Sequence, residues 1–68
     1  MSKNLKLKLK RIEQGMTQKD IAEKLEISIP AYSLIESGKR KGSLDFWENV
    51  QKVLKIDDNE MWEVIKHE

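Results

Sequence analysis

The chain has 68 residues, room for one small domain and one modest core and too few for a two-domain enzyme. Hydrophobic residues at 38% and charged residues at 37%, with a net charge of +1, are too apolar and too balanced for a disordered tail and fit a heavily solvated helical domain. Without a cysteine, and with His67 as the one histidine, disulfide frameworks, zinc fingers and thiolate metal sites are excluded.

Five short helices are predicted, punctuated by Gly15, Gly38 and Gly42. The first, about Lys3 to Gln14, places Leu5, Leu9 and Ile12 at i, i+4 and i+7, with Met16 continuing the register. Leu5 to Lys10 also alternates with period two, a strand pattern. Helix is preferred because Leu, Lys and Arg are good helix formers and a lone strand has no partner. The second helix opens at Thr17, whose hydroxyl can cap the N–H of Asp20 while that carboxylate reaches back, and it carries Ile21, Ala22 and Leu25 on one face. Glu26-Ile27 breaks the run. Ser28 then caps a third helix with Pro30 in its first turn, ending at Gly38, whose Tyr32 and Ile35 face back onto Ile21, Leu25 and Ile27. Ser43 caps a fourth helix with the stripe Leu44, Trp47, Val50 and Leu54, flanked by Phe46 and Val53. Asp57 with Glu60 is a capping box for a fifth helix bearing Met61, Trp62 and Ile65.

Charge divides along the chain. Residues 1–42 hold ten Lys/Arg against five acids, a net +5, whereas residues 43–68 hold three against seven, a net −4. The basic part suits a polyanion and the acidic part solvent or a partner subunit. No apolar run reaches the ~18 residues a bilayer span needs, and the start leads into alternating charge rather than a signal peptide's apolar core. The expected compartment is the cytoplasm, with no membrane partner. A cationic membrane-surface role for Leu5 to Arg11 is disfavoured because their apolar stripe is needed to cover a core.

The informative stretch is Gln18 to Ser37, two short helices with an abrupt turn at Glu26-Ile27. Apolar residues at 21, 25, 27, 32 and 35 and a small Ala22 let the helices cross closely. Such a unit leaves Ser28, Ile29, Pro30, Ala31, Ser33, Leu34 and Ser37 outward. With Lys10-Arg11-Ile12, Gly15-Met16-Thr17-Gln18, Asp20-Ile21-Ala22-Glu23-Lys24-Leu25, Ile27-Ser28, Tyr32 to Arg40 and Leu54-Lys55-Ile56, the chain resembles the phage-repressor-like (Cro/cI, xenobiotic-response-element type) helix-turn-helix proteins over about residues 5–56.

The resemblance implies an all-α, five-helix lambda-repressor-like domain, here one domain over 1–68. Its helix-turn-helix unit is at about 18–37, and its C-terminal helices, 43–67, supply core and dimer contacts. It implies a transcriptional regulator, a repressor of prophage or mobile-element type, that lays its third helix in the major groove of double-stranded DNA as a homodimer. A competing regulator protein is a further candidate partner. Expected DNA contacts are Thr17, Gln18, Lys19, Ser28, Ile29, Pro30, Ser33, Leu34, Lys39, Arg40 and Lys41. Helix N-termini at Thr17 and Ser28 offer N–H groups to phosphates, Gln18 can donate through its amide, and the basic run can grip adjacent phosphates. The resemblance also implies an ion pair between Arg11 and Glu36.

Two departures from the family pattern stand out. Glu26 occupies the turn where relatives usually have glycine, so the backbone there must avoid the left-handed region or adopt it at some cost. Ile29, Pro30 and Leu34 stand where relatives place polar side chains for base edges. Direct readout should be sparse, depending on thymine methyls, DNA deformability and half-site spacing, with Ser28, Ser33, Gln18 and Lys39 or Arg40 left to hydrogen-bond. The alternative is a protein-binding module, such as an antitoxin or anti-repressor, using the same apolar face.

Catalysis is not expected, nor any metal or cofactor. There is no cysteine nucleophile and no internal histidine base, and the three glycines form no phosphate loop. Asp57, Asp58 and Glu60 are explained as a helix cap. A core this small contributes only about 3–5 kcal/mol, and association is a common supplement. Phe46, Trp47, Met61, Trp62 and Ile65 are therefore expected to meet a second copy.

Overall fold

The computed structural model describes residues 5–65, with side chains from Lys6 to Val64. Its helices are α1 (Leu5–Glu13), α2 (Gln18–Leu25), α3 (Ile29–Glu36), α4 (Leu44–Leu54) and α5 (Asp58–Ile65). Among the described residues this is the expected five-helix, all-α architecture. Among the described residues, no helix is long and apolar enough to cross a membrane.

Each boundary has a local cause. Gly15, at φ +72°, ends α1 and lets the Met16 N–H reach the Arg11 carbonyl at 3.1 Å. Thr17 and Asp20 exchange two 3.0 Å bonds, Asp20 N–H to the Thr17 hydroxyl and Thr17 N–H to the Asp20 carboxylate, a complete capping box. Those bonds hold the Asp20 carboxyl below the usual range. Ser28 and Ser43 cap α3 and α4 by accepting from Ala31 and Phe46, and Asp57 accepts from Glu60 before α5.

Glu26 adopts the left-handed conformation, at φ 59° and ψ 40°. That costs a side-chain-bearing residue about 1–2 kcal/mol. The return is that the Ile27 N–H reaches the Ala22 carbonyl at 3.0 Å, closing α2 and turning the chain into α3 within three residues.

Helix α2 packs on α3 and α4, and α1 packs on α3 and α5. Ile21, Tyr32, Val50 and Val64 are completely buried where these helices meet, with Phe46 and Trp47 stacked edge to face, ring centroids 4.9 Å apart. Glycine is required at position 42. A Cβ there would lie 2.6 Å from Phe46 Cδ2 and 2.9 Å from Trp47 Nε1.

Three expectations are corrected. The buried face of α1 is Leu7 and Arg11, whereas Leu9 and Ile12 of the predicted stripe are 56% and 52% exposed. The stripe is genuinely helical but faces solvent, and its Leu5 side chain lies outside the described residues. Leu44 is likewise exposed, because on α4 it lies off the face that Phe46, Trp47, Val50 and Leu54 turn inward. Finally, Phe46, Trp47 and Met61, expected at a dimer interface, are buried within one chain, because the five helices together cover more aromatic surface than the sequence count suggested. Trp62 remains 67% exposed, and the Ile65 side chain lies outside the described residues.

Candidate nucleic-acid interface

Helix α3 is presented by its two ends. At its start, the Glu26 turn aims the Ser28 N-cap outward. At its end, Gly38 at φ +81° turns the chain back, and the N–H groups of Lys39 and Arg40 both donate to the Leu34 carbonyl, at 3.0 and 3.2 Å. The start of the basic run is thus fastened by its backbone to the helix while its side chains stay free. Lys39, Arg40 and Lys41 are all exposed.

Of the other expected contacts, Thr17, Lys19, Ser28, Ile29, Pro30 and Leu34 are exposed and Gln18 and Ser33 half-buried. Ala31 and Ser37, also read as outward, are half-buried, because they sit at the edge of the α3 face that holds Tyr32 and Ile35. Thr17 and Ser28 open α2 and α3, and the Gln18 bond to Glu36 sets the start of α2 at the same end of α3 as the basic run, with Ser28 at the other end.

Behind that surface Arg11 and Glu36 meet. Arg11 Nε donates to Glu36 Oε2 at 2.8 Å and Nη2 to Oε1 at 3.3 Å, a two-pronged contact between residues 8% and 7% exposed. Two further donors converge on the carboxylate: the Tyr32 hydroxyl at 2.6 Å and Gln18 Nε2 at 3.0 Å. Arg11 Nη1 donates to the Met16 carbonyl at 2.7 Å. One cluster therefore joins α1, the α1–α2 turn, α2 and α3.

Burial pushes the Glu36 carboxyl up, but the hydrogen bonds from Arg11, Tyr32 and Gln18 outweigh it and hold the group below the usual carboxylate range. The Arg11 guanidinium is raised by its hydrogen bond to Glu36, despite burial. The Tyr32 phenol is pushed far above its ordinary value, first by burial and then by the adjacent carboxylate. All three keep their neutral-pH protonation states, so the cluster is a fixed strut.

The spacing of Tyr32 and Glu36, one helical turn apart, carried a signal that sequence reading missed. Gln18 carried none. Read as a free phosphate donor, it commits one amide hydrogen to Glu36, which leaves its other amide hydrogen for a partner.

A helix-turn-helix family model (HTH_3) matches residues 7–61, which span α2, the turn and α3 and most of the helices around them. The chain belongs to the Cro/cI-type helix-turn-helix family. No curated protein and no solved structure matches it. As a member, it is a DNA-binding helix-turn-helix regulator. Within the family frame, α3 is the second helix of the motif, the one that ends in the exposed cations.

Proposed function

We infer that the protein is a cytoplasmic repressor of prophage or mobile-element type that acts by occupancy rather than catalysis. It binds a two-fold DNA site with α3 in the major groove. The observation that carries this reading is the fastening of Lys39 and Arg40 to the end of α3, which sets phosphate-gripping cations at a fixed distance from the helix that would read bases. Thr17, Gln18 and Lys19 at the start of α2, which Gln18 ties to the Glu36 end of α3, and Ser28 at the start of α3 would add further phosphate contacts.

The test is selection of duplexes from a random pool by the purified chain at two salt concentrations. Expected is a palindrome whose affinity falls steeply with salt. Each phosphate neutralised contributes about −0.9 to the slope of log affinity on log salt, so replacing Lys39, Arg40 and Lys41 by alanine should flatten it by up to about 3. The exposure of Ile29, Pro30 and Leu34 favours a second reading, an apolar protein-docking face of antitoxin or anti-repressor type. Under that reading no duplex is enriched and salt has little effect.

A two-fold site calls for two copies. Of the side chains expected at a dimer contact, Trp62 is exposed, on the outer side of α5. Trp62→Glu should convert a dimer to a monomer in sedimentation without changing helix content. An unchanged dimer mass would remove α5 from the interface.

A further inference from the structure

We propose that α3 reads the C5-methyl group of pyrimidines in the major groove, and therefore treats thymine and 5-methylcytosine alike at the positions it touches. The proposal rests on the DNA-binding reading above and names what that surface recognises.

Helix α3 is apolar on both sides. Tyr32 and Ile35 face the core, yet Ile29 and Leu34 are 43% and 41% exposed and Pro30 is exposed beside them. Pro30 and Leu34 stand one turn apart on one face, with Ile29 next to them in the first turn. A helix that is hydrophobic all round belongs in a covered setting, and in the monomer the outer side of α3 is bare.

The chemistry of its rim says what covers it. From Ile27 to Gly42 the single acid is Glu36, and it is buried against Arg11, while Lys39, Arg40 and Lys41 are exposed. The strip carries no exposed acid within α3 and runs into three exposed cations at its end, with the exposed Glu26 in the turn before it, and so complements a polyanion that carries apolar groups between its charges. Duplex DNA does so in its major groove, where the thymine methyl is the one apolar feature a base pair presents.

Polar readers near this strip are partly engaged, which leaves the second Gln18 amide hydrogen, the Ser28 hydroxyl proton and Ser33 to hydrogen-bond. The Ser28 hydroxyl accepts from Ala31, the Ser37 hydroxyl donates to the Leu34 carbonyl, and the Gln18 amide donates to Glu36. Ile29, Pro30 and Leu34 have no hydrogen-bonding atoms in their side chains. They respond to the methyl itself, and a methyl on cytosine C5 occupies the equivalent place in the groove.

The experiment takes the duplex enriched by the full chain and replaces each thymidine singly by deoxyuridine, which removes only the methyl. At the touched positions affinity should fall about fourfold, the worth of one buried methyl-sized group. Where cytidine then replaces thymidine, 5-methylcytidine should bind about fourfold more tightly than cytidine. Leu34→Ala, an exposed substitution with little effect on folding, should erase the deoxyuridine penalty at its own position and leave the salt slope unchanged. Replacing purines by 7-deaza analogues, which lose the N7 acceptor, should matter less than losing the methyls.

An enriched duplex indifferent to deoxyuridine at every position, or one hurt more by 7-deaza purines, overturns the proposal and leaves DNA binding standing. Enrichment of no duplex, with salt-insensitive capture of a protein instead, overturns both.

Discussion

Glu36→Ala is expected to cost about 3–5 kcal/mol, the penalty for stranding one member of a buried ion pair. The substitution leaves the Arg11 guanidinium buried with one backbone partner, the Met16 carbonyl, and strands the Tyr32 hydroxyl as well. For a domain whose core supplies about 3–5 kcal/mol, that loss brings the net stability near zero, so about half or more of the molecules should be unfolded at room temperature. Arg11→Met alone should be nearly as damaging, because it leaves the carboxylate buried with the Tyr32 and Gln18 donors only. Arg11→Met combined with Glu36→Leu should recover most of the loss, since replacing both charges by apolar groups is often neutral or better. Urea midpoints of the three variants decide the matter. A loss below about 1 kcal/mol for Glu36→Ala would mean that the pair behaves as a solvated surface contact.

The same cluster sets an acid dependence. Because the Glu36 carboxyl is held below its ordinary value, its contribution is complete above the unfolded-state pKa, about 4.3, and disappears as pH falls through the lower folded value. The urea midpoint should therefore be level from neutral pH to about 5 and drop below about 4. Asp20, also held low by its bonds to Thr17, acts in the same direction and leaves a shallower decline in Glu36→Gln.

Caps were the most legible part of the sequence. Thr17 with Asp20, Ser28 with Pro30, Ser43, and Asp57 with Glu60 each mark a helix start within a residue, because capping needs particular side chains at fixed spacing from their targets. The Glu26 conformation was not decidable: a non-glycine residue in that turn is compatible with two backbones, and closing α2 onto Ala22 selects the strained one. The ion pair came from resemblance, and nothing in spacing alone joins residues 25 apart. The distribution of aromatic residues between core and surface was also hidden. Helices that carry Phe46 and Trp47 as neighbours can cover both only if Gly42 lets the chain pass close over them, a contact that lies in three dimensions.

The register of α1 is the instructive failure, and it makes the second strong prediction. Leucine at positions 5, 7 and 9 puts an apolar residue on more than one face of the helix, so hydrophobic periodicity selects the longest series, Leu5, Leu9 and Ile12. The fold selects another, because Arg11 must turn inward to reach Glu36 and the residue one turn before it, Leu7, turns inward with it. A buried charge thus masks the core face from any count of apolar residues. Leu7→Ala should cost about 2–5 kcal/mol, the range for emptying a fully buried leucine site, and so unfold much of the population. Leu9→Ala and Ile12→Ala should stay within about 0.5 kcal/mol of the parent, as exposed substitutions do. The three urea midpoints, taken with an unchanged denaturant slope, separate the alternatives: if Leu9→Ala costs more than Leu7→Ala, the helix sits in the register the stripe suggested, and Arg11 points to solvent.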